Sequence, residues 1–133
     1  MEKSNVLKSY LIISGLLLTL IGASTLIIPA EMKSTAGIFI SDNINILNDV
    51  RGMSALLLVV ALVALTGVFN QKITYTSSLI TPLLFLSIGL GRVLSILLDG
   101  MPEASLLKAT GLELVLGTIG IILFQKFKLK LSK

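Results

Sequence analysis

Residues 50–69 read VRGMSALLLVVALVALTGVF, and this stretch decides the fold of the chain. Apart from Arg51 near its start, the stretch has no ionisable side chain, and its apolar residues would surround a helix on every side. About 20 apolar residues in a helix match the thickness of the hydrocarbon core of a bilayer. A helix that is apolar all round needs lipid or protein on all sides. The stretch therefore predicts a transmembrane helix.

Three further stretches have the same character. They are Tyr10–Ile28, Ser77–Leu98 and Ser105–Phe124. The chain of 133 residues is 54% hydrophobic and only 14% charged, whereas about a quarter of the residues in soluble domains are charged. Because a soluble domain this small could not bury so much apolar surface, we predict an all-α integral membrane protein. Residues 1–133 would form one antiparallel bundle of four transmembrane helices.

The three connections between the predicted spans differ in length. The first, residues 29–48, is long and too polar to cross the membrane. Its apolar segment Ile38–Ile40 would lie either on the bilayer surface or folded back over the bundle. The second connection, residues 70–76, and the third, residues 99–104, are short, and glycine and proline mark the third as a turn. Short connections place successive helices side by side and antiparallel.

Lysines indicate the orientation of the bundle. They are concentrated at the two ends of the chain and in the second connection: Lys3, Lys8, Lys72, Lys126, Lys128, Lys130 and Lys133. Lys and Arg are enriched on the cytoplasmic side of bacterial membranes, so we predict a multi-pass protein of the bacterial cytoplasmic (inner) membrane with both termini in the cytoplasm. Aromatic rings, Tyr10 and Phe127 among them, are predicted to lie at the same interface. This placement explains the net charge of +4 without a nucleic-acid partner.

The chain has no cysteine and no histidine. This composition excludes disulfides, thiol redox chemistry, serine–histidine catalysis, haem ligation by histidine and zinc sites of the ordinary type. No complete catalytic or metal-binding motif is present. We therefore expect no cofactor, no metal and no catalytic residue.

Among the charged residues inside or at the edge of the predicted spans are Arg51, Arg92 and Glu113. An unpaired charge at mid-membrane is costly, about 2.5–3.5 kcal/mol for Arg on insertion scales. With a helical rise of about 1.5 Å per residue, Arg92 lies roughly 9 Å and Glu113 roughly 12 Å from the external end of its span. Arg51 begins its span at the external end. All three residues therefore belong to the external half of the membrane.

These charges and their polar neighbours predict a polar nest in the external half of the bundle. Its candidate residues are Asn48, Asp49, Arg51, Arg92, Ser95, Asp99 and Glu113. One interpretation is structural: Arg51 or Arg92 pairs with Glu113 and joins the helices. The other is functional: an arginine binds a lipid headgroup or a small acid, because the planar guanidinium suits carboxylate and phosphate. The two interpretations are compatible.

Four short motifs carry a family resemblance. They are NDVRG at residues 48–52, GRVLS at 91–95, LDGMP at 98–102 and LEL at 112–114. In this order the motifs resemble those of the bacterial membrane proteins grouped as domain of unknown function 4345, and the likeness covers nearly the whole chain. The resemblance implies a four-helix membrane bundle and no particular activity. The chain is also distantly similar to DoxX-like four-helix membrane proteins, some of which are subunits of quinone-linked systems, but this likeness implies no redox role here.

Three hypotheses for function follow from these observations. The first is a non-enzymatic membrane protein that binds a lipid, a small amphiphile or a partner membrane protein at the polar nest, with a second copy of the chain as another possible partner. The second is a small oligomeric transporter or proton-coupled carrier that uses Glu113 and Arg92. The third is an enzyme acting on lipid or quinone, with Glu113 or Asp99 as acid or base, and it has the least support because the sequence supplies no nucleophile.

Overall fold

The structure, a computed structural model, describes residues 2–131 and the side chains of residues 5–130. Within that range the chain forms five helices and no strand: α1 Glu2–Ile27, α2 Pro29–Ser34, α3 Ile44–Phe69, α4 Gln71–Asp99 and α5 Ala104–Leu131. The four long helices are each long and apolar enough to cross a membrane. The predicted all-α, four-helix membrane bundle is confirmed. Lys133 and the side chain of Lys3, two of the lysines behind the predicted orientation, lie outside this description.

The first connection is more helical than predicted. It contains α2, which begins at Pro29, and α3 begins at Ile44 rather than at Val50. Asn43 explains the early start of α3, because its side-chain oxygen accepts hydrogen bonds from the backbone N–H groups of Asn45 and Ile46, at 3.1 and 3.3 Å. Such a cap satisfies donors that the first turn of a helix leaves free. Only residues 35–43 of the predicted loop are outside a helix.

The second connection is a single residue, Asn70, instead of residues 70–76. Asn70 ends α3 by donating its backbone N–H to the carbonyl of Thr66. It also begins α4, because its side chain accepts a hydrogen bond from the backbone N–H of Lys72 at 3.0 Å. One asparagine therefore caps two helices, and the polar residues that suggested a longer loop form the first turns of α4.

The bundle has two ends, which we name by what lies there. The terminus end carries the start of α1, the end of α5 and Asn70. The loop end carries α2 with residues 35–43, and the third connection, residues 100–103.

Helices α1 and α3 form one closely packed pair. Two glycines of α1 face leucines of α3: a Cβ added to Gly15 would lie 2.7 Å from Leu65 Cγ, and one added to Gly22 would lie 3.1 Å from Leu58 Cγ. Small residues at these positions let the two backbones approach, as is usual between membrane helices.

Helices α4 and α5 form the second pair, and their contacts are reciprocal. A Cβ added to Gly89 of α4 would lie 2.7 Å from Leu114 Cδ2 of α5, and one added to Gly117 of α5 would lie 2.6 Å from Leu86 Cγ of α4. Each helix thus inserts a leucine into a space left by a glycine of the other.

The two pairs join at the terminus end. Leu7, Tyr10, Leu11, Ala64 and Phe127 form a buried apolar cluster there. The Tyr10 hydroxyl donates a hydrogen bond to the carbonyl of Leu116 on α5 at 3.0 Å. The rings of Tyr10 and Phe127 are therefore buried between helices.

Two further contacts between the pairs lie along the bundle. The Ser77 hydroxyl of α4 donates a hydrogen bond to the Val63 carbonyl of α3 at 2.7 Å. At mid-bundle, Phe85 of α4 packs in a buried cluster with apolar residues of α1 and α3 that include Leu18 and Val60.

Toward the loop end, apolar side chains between the two pairs are more exposed. On α3, Met53 and Leu56 lie on the same helical face as Val60, yet they are 56% and 48% exposed whereas Val60 is 6% exposed. On α1, Ile21 continues the face of Tyr10 and is 37% exposed. Because these apolar side chains share a helical face with buried ones and are nevertheless exposed, we infer a cleft between the pairs at this level.

Residues 35–43 run across the loop end. Gly37 has a positive φ of 71° and lies against the carboxylate of Glu103 in the third connection, so that an added Cβ would overlap that carboxylate. Ile40 is buried at 5% exposure, whereas Phe39 is 84% exposed. Ile40 is thus folded onto the protein, and Phe39 is directed away from it.

Candidate functional site

Arg92 and Glu113 lie on the faces of α4 and α5 that are turned toward the other helix pair. Arg92 continues the face of Phe85, two turns or about 10 Å nearer the loop end. Glu113 continues the face of α5 that carries Leu116 and Gly120, both of which lie beside Tyr10 at the terminus end. From these shared faces we infer that both charged side chains lie beside the cleft defined by Ile21, Met53 and Leu56.

Arg92 and Glu113 form an ion pair, with Arg92 Nε 3.0 Å from Glu113 Oε2. The side chains are 36% and 15% exposed, so the carboxylate is the more deeply buried partner. Pairing offsets the cost of placing either charge in a membrane helix. The ion pair also joins α4 to α5, nearer the loop end than the contact of Gly89 with Leu114.

The outer edge of the Arg92 guanidinium is open. Glu113 is engaged at Nε, and within residues 2–131 neither Nη atom of Arg92 has a protein partner. A guanidinium has five N–H donors in a rigid plane and can serve two acceptors on two of its edges. Arg92 therefore retains donors for a further acceptor.

Ser95 and Asp99 form a separate couple at the loop end of α4. The Ser95 hydroxyl donates a hydrogen bond to Asp99 Oδ2 at 2.9 Å, and both residues are exposed. Although Arg92, Ser95 and Asp99 share one face of the helix, the aspartate makes no ion pair with Arg92.

Arg51 is held by the backbone of α1. Its Nε donates a hydrogen bond to the carbonyl of Leu26 at 3.0 Å. Leu26 is in the last turn of α1, where carbonyl groups lack donors within the helix and carry partial negative charge. Arg51 thus caps α1 from the neighbouring helix and forms no ion pair with Glu113 in the described part of the chain.

Asn48 and Asp49 lie on different sides of α3. Asn48 shares a surface groove with Arg51. Asp49 is exposed and makes no ion pair among the residues described. The seven residues of the predicted nest therefore occur as the Arg92–Glu113 pair, the Ser95–Asp99 couple, the Arg51–Asn48 groove and Asp49 by itself.

Several residues of this region were not identified from the sequence. The carbonyl of Leu26 had an indirect signal, because a helix ending just before Pro29 leaves its last carbonyls without donors. Met53 and Leu56, the exposed apolar walls of the cleft, gave no signal in the sequence, because their hydropathy is that of any membrane-facing residue. Within residues 2–131, no three Asp or Glu side chains converge in a way that could hold a metal ion.

Comparison with known proteins identifies the family of the chain. The family model described as "Domain of unknown function (DUF4345)" matches residues 6–124. Neither a curated protein nor a solved structure matches the chain. The matched segment contains all seven residues of the predicted nest and most of each long helix. The chain therefore belongs to the DUF4345 family, to which its sequence motifs pointed.

Proposed function

We propose that this multi-pass membrane protein is a non-enzymatic binding protein that holds the anionic head of a small amphiphile in the cleft between its two helix pairs. The observation that carries the proposal is Arg92, which borders the cleft, is held at Nε by Glu113 and keeps both Nη atoms open. We further propose that the protein resides in the bacterial cytoplasmic membrane with the terminus end in the cytoplasm. The exposed Lys72, Lys126 and Lys128 at that end support this orientation.

The cleft combines one polar anchor with apolar walls. A carboxylate suits the free Nη edge of Arg92, since a guanidinium binds carboxylates through two parallel N–H donors. The exposed side chains of Ile21, Met53 and Leu56 would cover the hydrocarbon tail. Because lipid tails are as apolar as these side chains, the walls would accommodate the tail and the contact with Arg92 would provide most of the affinity.

Binding explains the geometry better than transport does. Residues 35–43 run across the loop end, and the buried Leu7, Tyr10 and Phe127 close the terminus end. Passage of a solute would require these buried side chains to separate. A proton-coupled carrier remains the second hypothesis, and it predicts flux that depends on Glu113.

Thermal unfolding of the purified protein in detergent with added oleate tests the proposal. We expect oleate to raise the melting temperature by several degrees, because a ligand that binds only the folded state stabilises it. Methyl oleate, which has the same tail and no charge, should have little effect. Arg92→Met should abolish the response to oleate, and Arg51→Met should keep it.

Glu113→Gln separates a binding site from a purely structural ion pair. Neutralising Glu113 removes a negative charge beside the bound carboxylate, so this variant should bind oleate more tightly than the wild type although it is less stable without ligand. If oleate and methyl oleate act alike on the wild type, or if Arg92→Met responds to oleate as the wild type does, the proposal is wrong.

A further inference from the structure

A second polar feature, separate from the cleft, lies on the outer side of α3 near the loop end. It is a surface groove of about 540 Å³ lined by Ile44, Leu47, Asn48, Arg51 and Gly52. These five residues recur at helical spacing and form one face of α3. The centre of this face is turned away from Gly67, against which Ser77 of α4 packs.

The groove carries an uncompensated positive charge in a fixed position. The hydrogen bond from Arg51 Nε to Leu26 holds the guanidinium in place. Within residues 2–131 no carboxylate pairs with Arg51. Asp49 is two positions away in the sequence, and residues at that spacing point to different sides of a helix. The Nη donors of Arg51 are therefore available to an anion.

Below Arg51, toward mid-membrane, α3 offers room for an acyl chain. A Cβ added to Gly52 would meet no atom within 4 Å. Ala55, Val59 and Leu62 continue the same side of the helix and are exposed. Gly52, next to Arg51, and the larger Val59 and Leu62 beneath it thus extend the groove. The extended groove begins at the Arg51 guanidinium and continues along an apolar surface.

We propose that this groove binds a phospholipid of the leaflet at the loop end, with Arg51 and the Asn48 amide donating to its phosphate and one acyl chain lying along Gly52 and Val59. Charge complementarity and the position at the end of a membrane span favour a phospholipid. A guanidinium whose Nη edge is free matches the geometry of phosphate oxygens. The site is independent of Arg92 and of the cleft.

Native mass spectrometry of the detergent-solubilised protein with added phosphatidylglycerol tests this inference. The variant Gly52→Leu fills the groove but leaves the Arg51–Leu26 contact intact, and we expect it to weaken binding of the tightest phosphatidylglycerol by roughly tenfold. Gly111→Leu is the matched control, since a Cβ at Gly111 also meets no atom within 4 Å but lies on α5. It should bind as the wild type does, and so should Arg92→Met.

Three further experiments identify which chemical group of the lipid the groove binds. Asn48→Ala should weaken binding, whereas diacylglycerol, which lacks the phosphate, should not form the high-affinity adduct. Inorganic phosphate at millimolar concentration should not displace the lipid. Equal binding by wild type and Gly52→Leu, equal binding of diacylglycerol, or displacement by phosphate alone would each overturn the proposal.

Discussion

Arg51 and Arg92 both carry a positive charge where the chain enters an apolar environment, and each is accommodated by a different partner. Arg92 pairs with Glu113 at 3.0 Å, whereas Arg51 donates to the carbonyl of Leu26. The sequence predicted that these residues need a partner, because unpaired charges within apolar spans are costly. It could not predict which arginine pairs with Glu113, because that depends on which helices are neighbours.

The first prediction concerns the Arg92–Glu113 pair. Glu113→Gln should lower the free energy of unfolding by about 1–3 kcal/mol, since it leaves a partly buried guanidinium without a counter-charge, and partial exposure keeps the loss below that of a fully buried pair. Thermal or denaturant unfolding in detergent measures the change. Asp49→Asn is the control: Asp49 has no ion-pair partner in the described structure, so its loss should have little effect.

The second prediction concerns the contact that closes the terminus end. Tyr10→Phe removes the hydrogen bond to the Leu116 carbonyl and should cost about 1 kcal/mol of stability, the usual net contribution of such a bond. Tyr75→Phe provides the comparison. Tyr75 packs edge-on against Phe124, and its ring contact does not depend on the hydroxyl. Equal stability of the two variants would mean that the Tyr10 bond contributes nothing.

At the level of the helices, glycines determine how closely each pair packs. Gly15 and Gly22 face leucines of α3, and Gly89 and Gly117 mediate the reciprocal contacts of α4 with α5. The number and approximate extent of the helices were predictable from hydropathy. Their ends were not, because they depend on two asparagine caps, Asn43 and Asn70, whose polar side chains are equally common in loops.

The third prediction compares two glycines of α5. Gly117→Ala would place a Cβ 2.6 Å from Leu86 Cγ and 2.9 Å from the Leu86 backbone nitrogen, so the helices must move apart and the protein should lose stability. Gly111→Ala meets no atom within 4 Å and should be neutral or stabilising by up to about 1 kcal/mol, the difference in helix propensity. Unfolding in detergent gives both values, and a Gly117→Ala variant as stable as Gly111→Ala would refute the close packing.

At the level of the whole molecule, two helix pairs joined at the terminus end separate toward the loop end. The membrane location and the four helices were predictable, because a chain of this size cannot bury so much apolar surface in water. The cleft was not predictable. Its apolar walls, Ile21, Met53 and Leu56, have the same character as residues that face lipid, and only the relative positions of the helices distinguish the two.

The fourth prediction concerns the orientation of this architecture in the membrane. The natural chain has no cysteine, so single cysteines can report accessibility without background. In intact bacterial cells, a membrane-impermeant maleimide should label Asp42→Cys at the loop end and should label Gln125→Cys at the terminus end only after permeabilisation. The reverse pattern would contradict the orientation inferred from the lysines.

The central claim, that Arg92 binds the head of an amphiphile in the cleft, is tested most directly by a solid-state NMR distance. The chain has two arginines, so ¹⁵N-arginine labelling of an Arg51→Lys variant leaves Arg92 as the only labelled guanidinium. With oleate labelled with ¹³C at its carboxyl carbon, dipolar recoupling should report a separation of about 4 Å from the Nη atoms, as in a bidentate carboxylate pair. The absence of any dipolar coupling between bound oleate and Arg92 would contradict the account.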